Sequence, residues 1–161
     1  MKVQTTRFGE IEVREEDRLV IVEGLLGFGG LERYVVHRPA GLDIFQWLQS
    51  EQVPQLAFVV CPPRVIVPDY HIDVSREELE GIELEEESDA DILVLLAHPH
   101  DPSRMTANLL GPVVVNRSKR LARQVVLGGP EYSAKHKVFP HLKPRETHDE
   151  HNDLQGAQEC A

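Results

Sequence analysis

The chain has 161 residues and a formal charge of −10, with 27 acidic against 17 basic side chains. That length suits one domain, since domains most often run about 100–150 residues. The charge argues against binding a nucleic-acid backbone, where Lys and Arg supply most of the affinity, and favours a basic protein as partner.

Met1 to Arg7 lacks the long apolar core of a secretory signal, and no later apolar run approaches the ~20 residues of a membrane helix. A cytoplasmic protein is expected, neither exported by that route nor membrane-spanning. From Val3 to Val60 short β-type runs alternate with Gly and acidic turns: Val3 to Arg7, Glu10 to Arg14, Arg18 to Glu23, Tyr34 to Arg38 and Asp43 to Ser50. Their spacing predicts an antiparallel meander. Glu10 to Arg14 alternates polar and apolar residues as a half-buried strand does, whereas Leu19-Val20-Ile21-Val22 is continuously apolar and reads as more deeply buried.

Gly24 to Gly30 is glycine-rich, yet no Lys-Ser/Thr follows and no amphipathic helix opens after it, so neither phosphate-binding fingerprint is met. The glycines are expected to permit positive φ, with Phe28 packing inward. Phe45 and Trp47 fall on one strand face, Gln46 and Leu48 on the other; Trp47, the sole tryptophan, is a core filler or an interface anchor. Pro54, Pro62, Pro63 and Pro68 frame the strand Leu56 to Val60 and an extended piece around Val65-Ile66-Val67. Cys61 ends an apolar run and reads as a buried structural cysteine; with Cys160 in a polar tail, no disulfide framework is expected.

Ser75-Arg76-Glu77-Glu78 has the form of a capping box, and Gly81 is expected to stop that helix within a turn or two. Ten acidic residues and one base, Arg76, lie between Asp73 and Asp91, a solvated acidic face or a docking patch for a basic partner. Asp91 to Ala97 is apolar enough for a central strand. The loop His98-Pro99-His100-Asp101 holds the best metal-like cluster, but no third or fourth ligand sits at a convincing spacing. Met105 to Asn116 reads as a hairpin about Gly111-Pro112, with a further strand at Gln124 to Leu127; Asn108 and Asn116 either cap backbone groups or face a partner. Gly128-Gly129-Pro130 breaks that strand, and Tyr132 to Phe139 adds a short edge piece.

The whole reads as all-β, a small antiparallel barrel-like domain over residues 1–140 with one or two short helices. Residues 141–161, rich in His and acid, are expected to be disordered; His148 and His151 there do not make a selective metal site. No catalytic constellation stands out, and no enzyme activity or cofactor is expected.

Phe8-Gly9-Glu10, Glu23-Gly24-Leu25-Leu26-Gly27-Phe28, Trp47-Leu48-Gln49-Ser50, Asp69-Tyr70, and Met105 to Leu109 through Asn116 and Gln124 together resemble the bacterial flagellar assembly factor FliW family. The resemblance runs from about Val3 to about Tyr132. It implies a cytoplasmic β-barrel-like protein that binds new flagellin and, alternatively, the translational repressor CsrA. Free, it would sequester CsrA; flagellin would capture it and release the repressor. The contact residues it implies are Trp47, Gln49, Ser50, Asn108, Leu109 and Asn116, with core and turn support the competing role for Leu109 and Trp47. Two other readings compete: a metal-binding or enzymatic barrel using His98, His100 and Asp101, and an RNA-binding barrel, which the charge and the 6% aromatic content disfavour.

Overall fold

Apolar residues at alternate positions give each short segment one face that water disfavours, and rolling the strands into a barrel buries those faces together. The computed structural model describes residues 1–39 and 44–142. In chain order the strands are β1 (Lys2–Thr5), β2 (Gly9–Glu12), β3 (Arg18–Ile21), β4 (Arg33–His37), β5 (Gln46–Ser50), β6 (Ala57–Cys61), β7 (Ala90–Ala97), β8 (Thr106–Ala107), β9 (Val113–Asn116), β10 (Leu121–Gln124) and β11 (His136–Lys137). Among the described residues there is one α-helix, α1 (Arg76–Gly81), besides short 3-10 turns.

The antiparallel meander expected from Val3 to Val60 holds only from β3, runs through β6 and continues into β7. The first half of β7 pairs with β9, β9 turns back into β10, and β10 runs parallel to β3, which closes a seven-stranded barrel. The parallel seam is short: Leu121 registers with Val20 and Ala122 with Ile21. Strands β1 and β2 form a separate hairpin, whose Val3, Ile11 and Val13 pack on the outward side chain of Val35. Strands β8 and β11 hang as a small flap on the last residues of β7.

Leu19, Ile21, Tyr34, Leu48, Val60 and Val113 fill the barrel interior, each buried to 1% exposure or less. Burying one such aliphatic side chain stabilises by roughly 1.5–3 kcal/mol. A second apolar cluster outside the barrel wall centres on Val59, Cys61, Val94, Leu96, Met105 and Leu109. The glycine loop is as expected: Gly24, Gly27 and Gly30 have positive φ, and a Cβ on Gly24 would lie 2.6 Å from the Phe28 carbonyl oxygen. Phe28 packs edge-on against Phe58, with ring centroids 5.1 Å apart.

Three local expectations are corrected. Val65-Ile66-Val67 is not extended, because Pro63 opens a 3-10 turn over Pro63–Val65, where its fixed φ favours a helical start. Met105 to Asn116 does not form a hairpin: β8 pairs with β7 and β11, and the hairpin in this region joins β9 to β10. The cause lies at Asn108, whose Oδ1 accepts hydrogen bonds from the N–H groups of Leu110 and Gly111 and folds the chain into a turn before Pro112. The strand expected at Gln124 to Leu127 ends at Gln124; beyond it, Val125 and Leu127 donate to the carbonyls of Pro112 and Leu110 in the irregular 108–112 loop. Of the expected Asp43–Ser50 strand, Ile44 and Phe45 are not in strand and pairing begins at Gln46, while Asp43 and the tail from residue 143 lie outside the described residues. Among the described residues, no helix is long and apolar enough to cross a membrane.

Candidate functional site

Ten carboxylates in nineteen residues repel one another, so the segment from Asp73 to Asp91 needs anchors, and its sequence supplies them. Ile82 and Leu84 are buried at 1% and 5% exposure and pack with Val114 and Val125 on the outer wall of β9 and beyond. Glu83, Glu85, Glu86 and Glu87 are left exposed. Ahead of them, Ser75 Oγ accepts from the Glu78 N–H at 3.2 Å and Glu78 Oε2 from the Ser75 N–H at 3.3 Å, the expected capping box. The result is an acidic apron pinned to the barrel.

Asn116 holds the apron from the barrel side. Its Nδ2 donates to the carbonyls of Ile82 at 2.9 Å and Glu83 at 3.1 Å, and its Oδ1 accepts from Ser118 Oγ and the Lys119 N–H. One amide thus ties the apron to the β9–β10 turn. Arg117 forks onto Asp91, with its closest contact at 2.9 Å. Between the apron and the barrel mouth lies a cleft of about 740 Å³. Its walls include Leu19, Val36, Ile72 and Leu79, and Arg38, Arg64, Arg120, Glu87 and Asp91 also line it. It offers both signs of charge around an apolar wall, which suits a protein surface better than a simple ion.

The six residues named from the sequence divide by burial. Gln49 and Ser50 are fully buried: Gln49 Nε2 lies 3.0–3.1 Å from the carbonyls of Ser50, Pro54 and Leu56, and Ser50 Oγ accepts from the N–H groups of Gln52 and Val53. Both brace the β5–β6 turn. Leu109 is fully buried, with its carbonyl accepting from Tyr70 Oη at 2.7 Å, and Asn116 is 3% exposed. Trp47 and Asn108 keep partial exposure. The Arg7 guanidinium sits 4.5 Å from the Trp47 ring centroid, and Phe8 meets that ring edge-on at 5.5 Å. Trp47 packs against the outer cluster that contains Leu109, next to Asn108, whereas Asn116 lies on β9 beneath the acidic segment.

His98, His100 and Asp101 share a turn, but Asp101 Oδ1 is occupied by the Ser103 N–H and hydroxyl, at 3.1 and 2.7 Å. Among the described residues no group of three or more His, Cys, Asp or Glu is placed to hold a metal ion. Cys61 is fully buried, and burial pushes its thiol from the ordinary 9.0 up to about 12, so it is not an activated nucleophile. The contacts of two residues were not legible in the sequence. Gln124 bridges loops, its Nε2 donating to the Gly111 carbonyl and its Oε1 accepting from the Leu26 N–H across 98 residues. Tyr132 packs against Tyr70 in a tilted pair with centroids 4.5 Å apart. Neither leaves a local signal, because the partners are remote in sequence.

The comparisons with known proteins converge. A family model described as FliW protein matches residues 2–138. The chain is similar to a flagellar assembly factor FliW of Bdellovibrio bacteriovorus, 38% identical over 90% of this chain and 83% of that protein. It is also similar to one of Geotalea uraniireducens, 39% identical over 86% and 85%, and to one of Ruminiclostridium cellulolyticum, 35% identical over 91% and 99%. A crystal structure of the flagellar assembly factor FliW superposes with a TM-score of 0.78 at 35% identity, covering 88% of this chain and 99% of the other.

Proposed function

The chain belongs to the FliW family, and from that premise we propose that it is a flagellar assembly factor that binds flagellin and, alternatively, the repressor CsrA. Flagellin accumulating before assembly captures the protein; when flagellin is scarce, the free protein holds CsrA and relieves repression of flagellin mRNA. No bond is made or broken, and the work is partner exchange in the cytoplasm. The observation that carries this reading is that the likeness extends over the whole barrel and is not confined to one short motif.

The CsrA arm draws further support from the acidic apron. CsrA presents a basic RNA-binding surface, and a dense exposed carboxylate field steers a basic protein towards it while disfavouring RNA nearby. Of the six named residues, the partly exposed Trp47 and Asn108 are the ones this reading assigns to partner contact, while the buried Gln49, Ser50, Leu109 and Asn116 support it by holding the wall and apron in place.

Calorimetric titration of the purified protein with CsrA and, separately, with monomeric flagellin tests the proposal. Both are expected to bind. Charge reversal at Glu83, Glu85, Glu86 and Glu87 to Lys is expected to weaken CsrA at least tenfold while leaving flagellin affinity within about twofold. Absence of heat with both partners sinks the reading.

A further inference from the structure

Beside the acidic apron, the flank of the barrel carries a groove that the chain covers with its own C-terminal stretch. We infer that the edge of β8 and the apolar floor around it dock an extended apolar segment of unassembled flagellin, and that residues 128–142 are a removable strap over this site. The partner's identity rests on the function proposed above, whereas the site and its gating rest on burial and strand pairing.

The floor is well built. Tyr70, Leu96, Met105, Ala107 and Leu109 are each at 6% exposure or less. The strap above them is not. Not one residue from 126 to 142 is buried, and only Leu127, Tyr132, His136, Val138 and Phe139 are even partly so. Its ladder to β8 is two residues long, lengthened by a bond from Val138 N to the Met105 carbonyl and one from Leu109 N to the Ser133 carbonyl. Its entry, Gly128-Gly129-Pro130, is exposed, with Gly129 at φ +88. Segments with few buried contacts and exposed hydrogen bonds open at the low end of a protein's local stabilities.

An open depression of about 350 Å³, lined by Leu95, Ala97, His98, Thr106 and Asn108 and flanked by Ala134 and Lys135 of the strap, lies across β7 and β8 from that floor. There His98 Nδ1 is buried without a hydrogen-bond partner, and the residue is held at φ +56, a conformation that a non-glycine side chain seldom adopts. The strap shows what class of occupant the groove takes: an antiparallel strand on the β8 edge, with apolar side chains at intervals corresponding to Tyr132, Val138 and Phe139. Strand addition of this kind takes its affinity from main-chain bonds and its selectivity from side-chain pockets. Until the strap opens, the apparent affinity is reduced by the fraction of molecules in which the groove is free.

A lock tests the gate. The Val138–Met105 bond places the neighbouring pair, Lys137 and Thr106, in the non-hydrogen-bonded register, where Cα atoms approach most closely and a disulfide fits. In a full chain carrying Cys160→Ser, the pair Thr106→Cys and Lys137→Cys is oxidised and titrated with monomeric flagellin, then reduced and titrated again. The oxidised protein, with a melting temperature no lower than the reduced one, is expected to bind at least tenfold more weakly, and reduction restores binding. Tyr132→Ala, which removes the ring packed against Tyr70, is expected to tighten binding several-fold. Equal flagellin affinity in oxidised and reduced protein overturns the inference, as does weaker binding by Tyr132→Ala. A Cys160→Ser parent that binds no flagellin overturns the underlying functional reading together with the groove.

Discussion

A single amide shows how much of this molecule depends on side chains that hold rather than touch. Asn116 is 3% exposed and bonds two carbonyls of the apron. Asn116→Ala leaves those carbonyls unsatisfied, and losing a buried partner costs about 1–3 kcal/mol. Urea unfolding should show that loss, and hydrogen exchange should speed up most over residues 76–89. Asn108→Ala is expected to lower stability as its turn frays; unchanged partner affinity in the remaining folded protein would remove Asn108 from the contact set. Burial also sets a pH limit. The neutral Cys61 thiol and Tyr34 phenol are held up to about 12 in the folded state, from ordinary values of 9.0 and 10.0. The unfolded chain therefore releases these protons first as pH rises, so their contribution is complete below pH 9 and is lost between about 9 and 12. Denaturant midpoints are expected to be flat from pH 7 to 8.5 and to fall above that, less steeply in Cys61→Ala.

At the level of elements, what the sequence disclosed was local. The capping box at Ser75, the left-handed glycines of the 24–30 loop and the meander from β3 to β7 are all written in neighbouring residues. The seam between β10 and β3 is not, because parallel strands about a hundred residues apart leave no periodic mark, and Ala122 looks unremarkable until it is found fully buried beside Ile21. The misread hairpin at 105–116 has a similar origin: Asn108 competes for the backbone and diverts the chain, which apolar patterning cannot show. Two substitutions separate the strong and weak elements. Ala122→Leu overpacks the seam and should cost about 1–3 kcal/mol of global stability. Ser75→Ala should cost about 1 kcal/mol within α1 alone, since no residue of that helix is fully buried. Calorimetric melting is expected to move in the first and barely in the second, whose effect appears in exchange of residues 76–81.

For the whole molecule the sequence conveyed family, barrel and charge, while the candidate contact residues were only partly legible. Motif positions mark where a family is constrained, and burial decides whether the constraint is a surface or a brace; Gln49, Ser50 and Leu109 turn out fully enclosed. The net charge of −10 has a direct consequence for rate. Association with a basic partner should slow steeply as salt rises from 50 to 500 mM, because screening shortens the reach of the acidic field from over 10 Å to about 4 Å. The exchange of partners is tested most directly by forming the complex with CsrA and titrating flagellin into it while following CsrA release. Stoichiometric displacement of CsrA is the expected result. A stable ternary complex, or CsrA left bound at saturating flagellin, would contradict the switch.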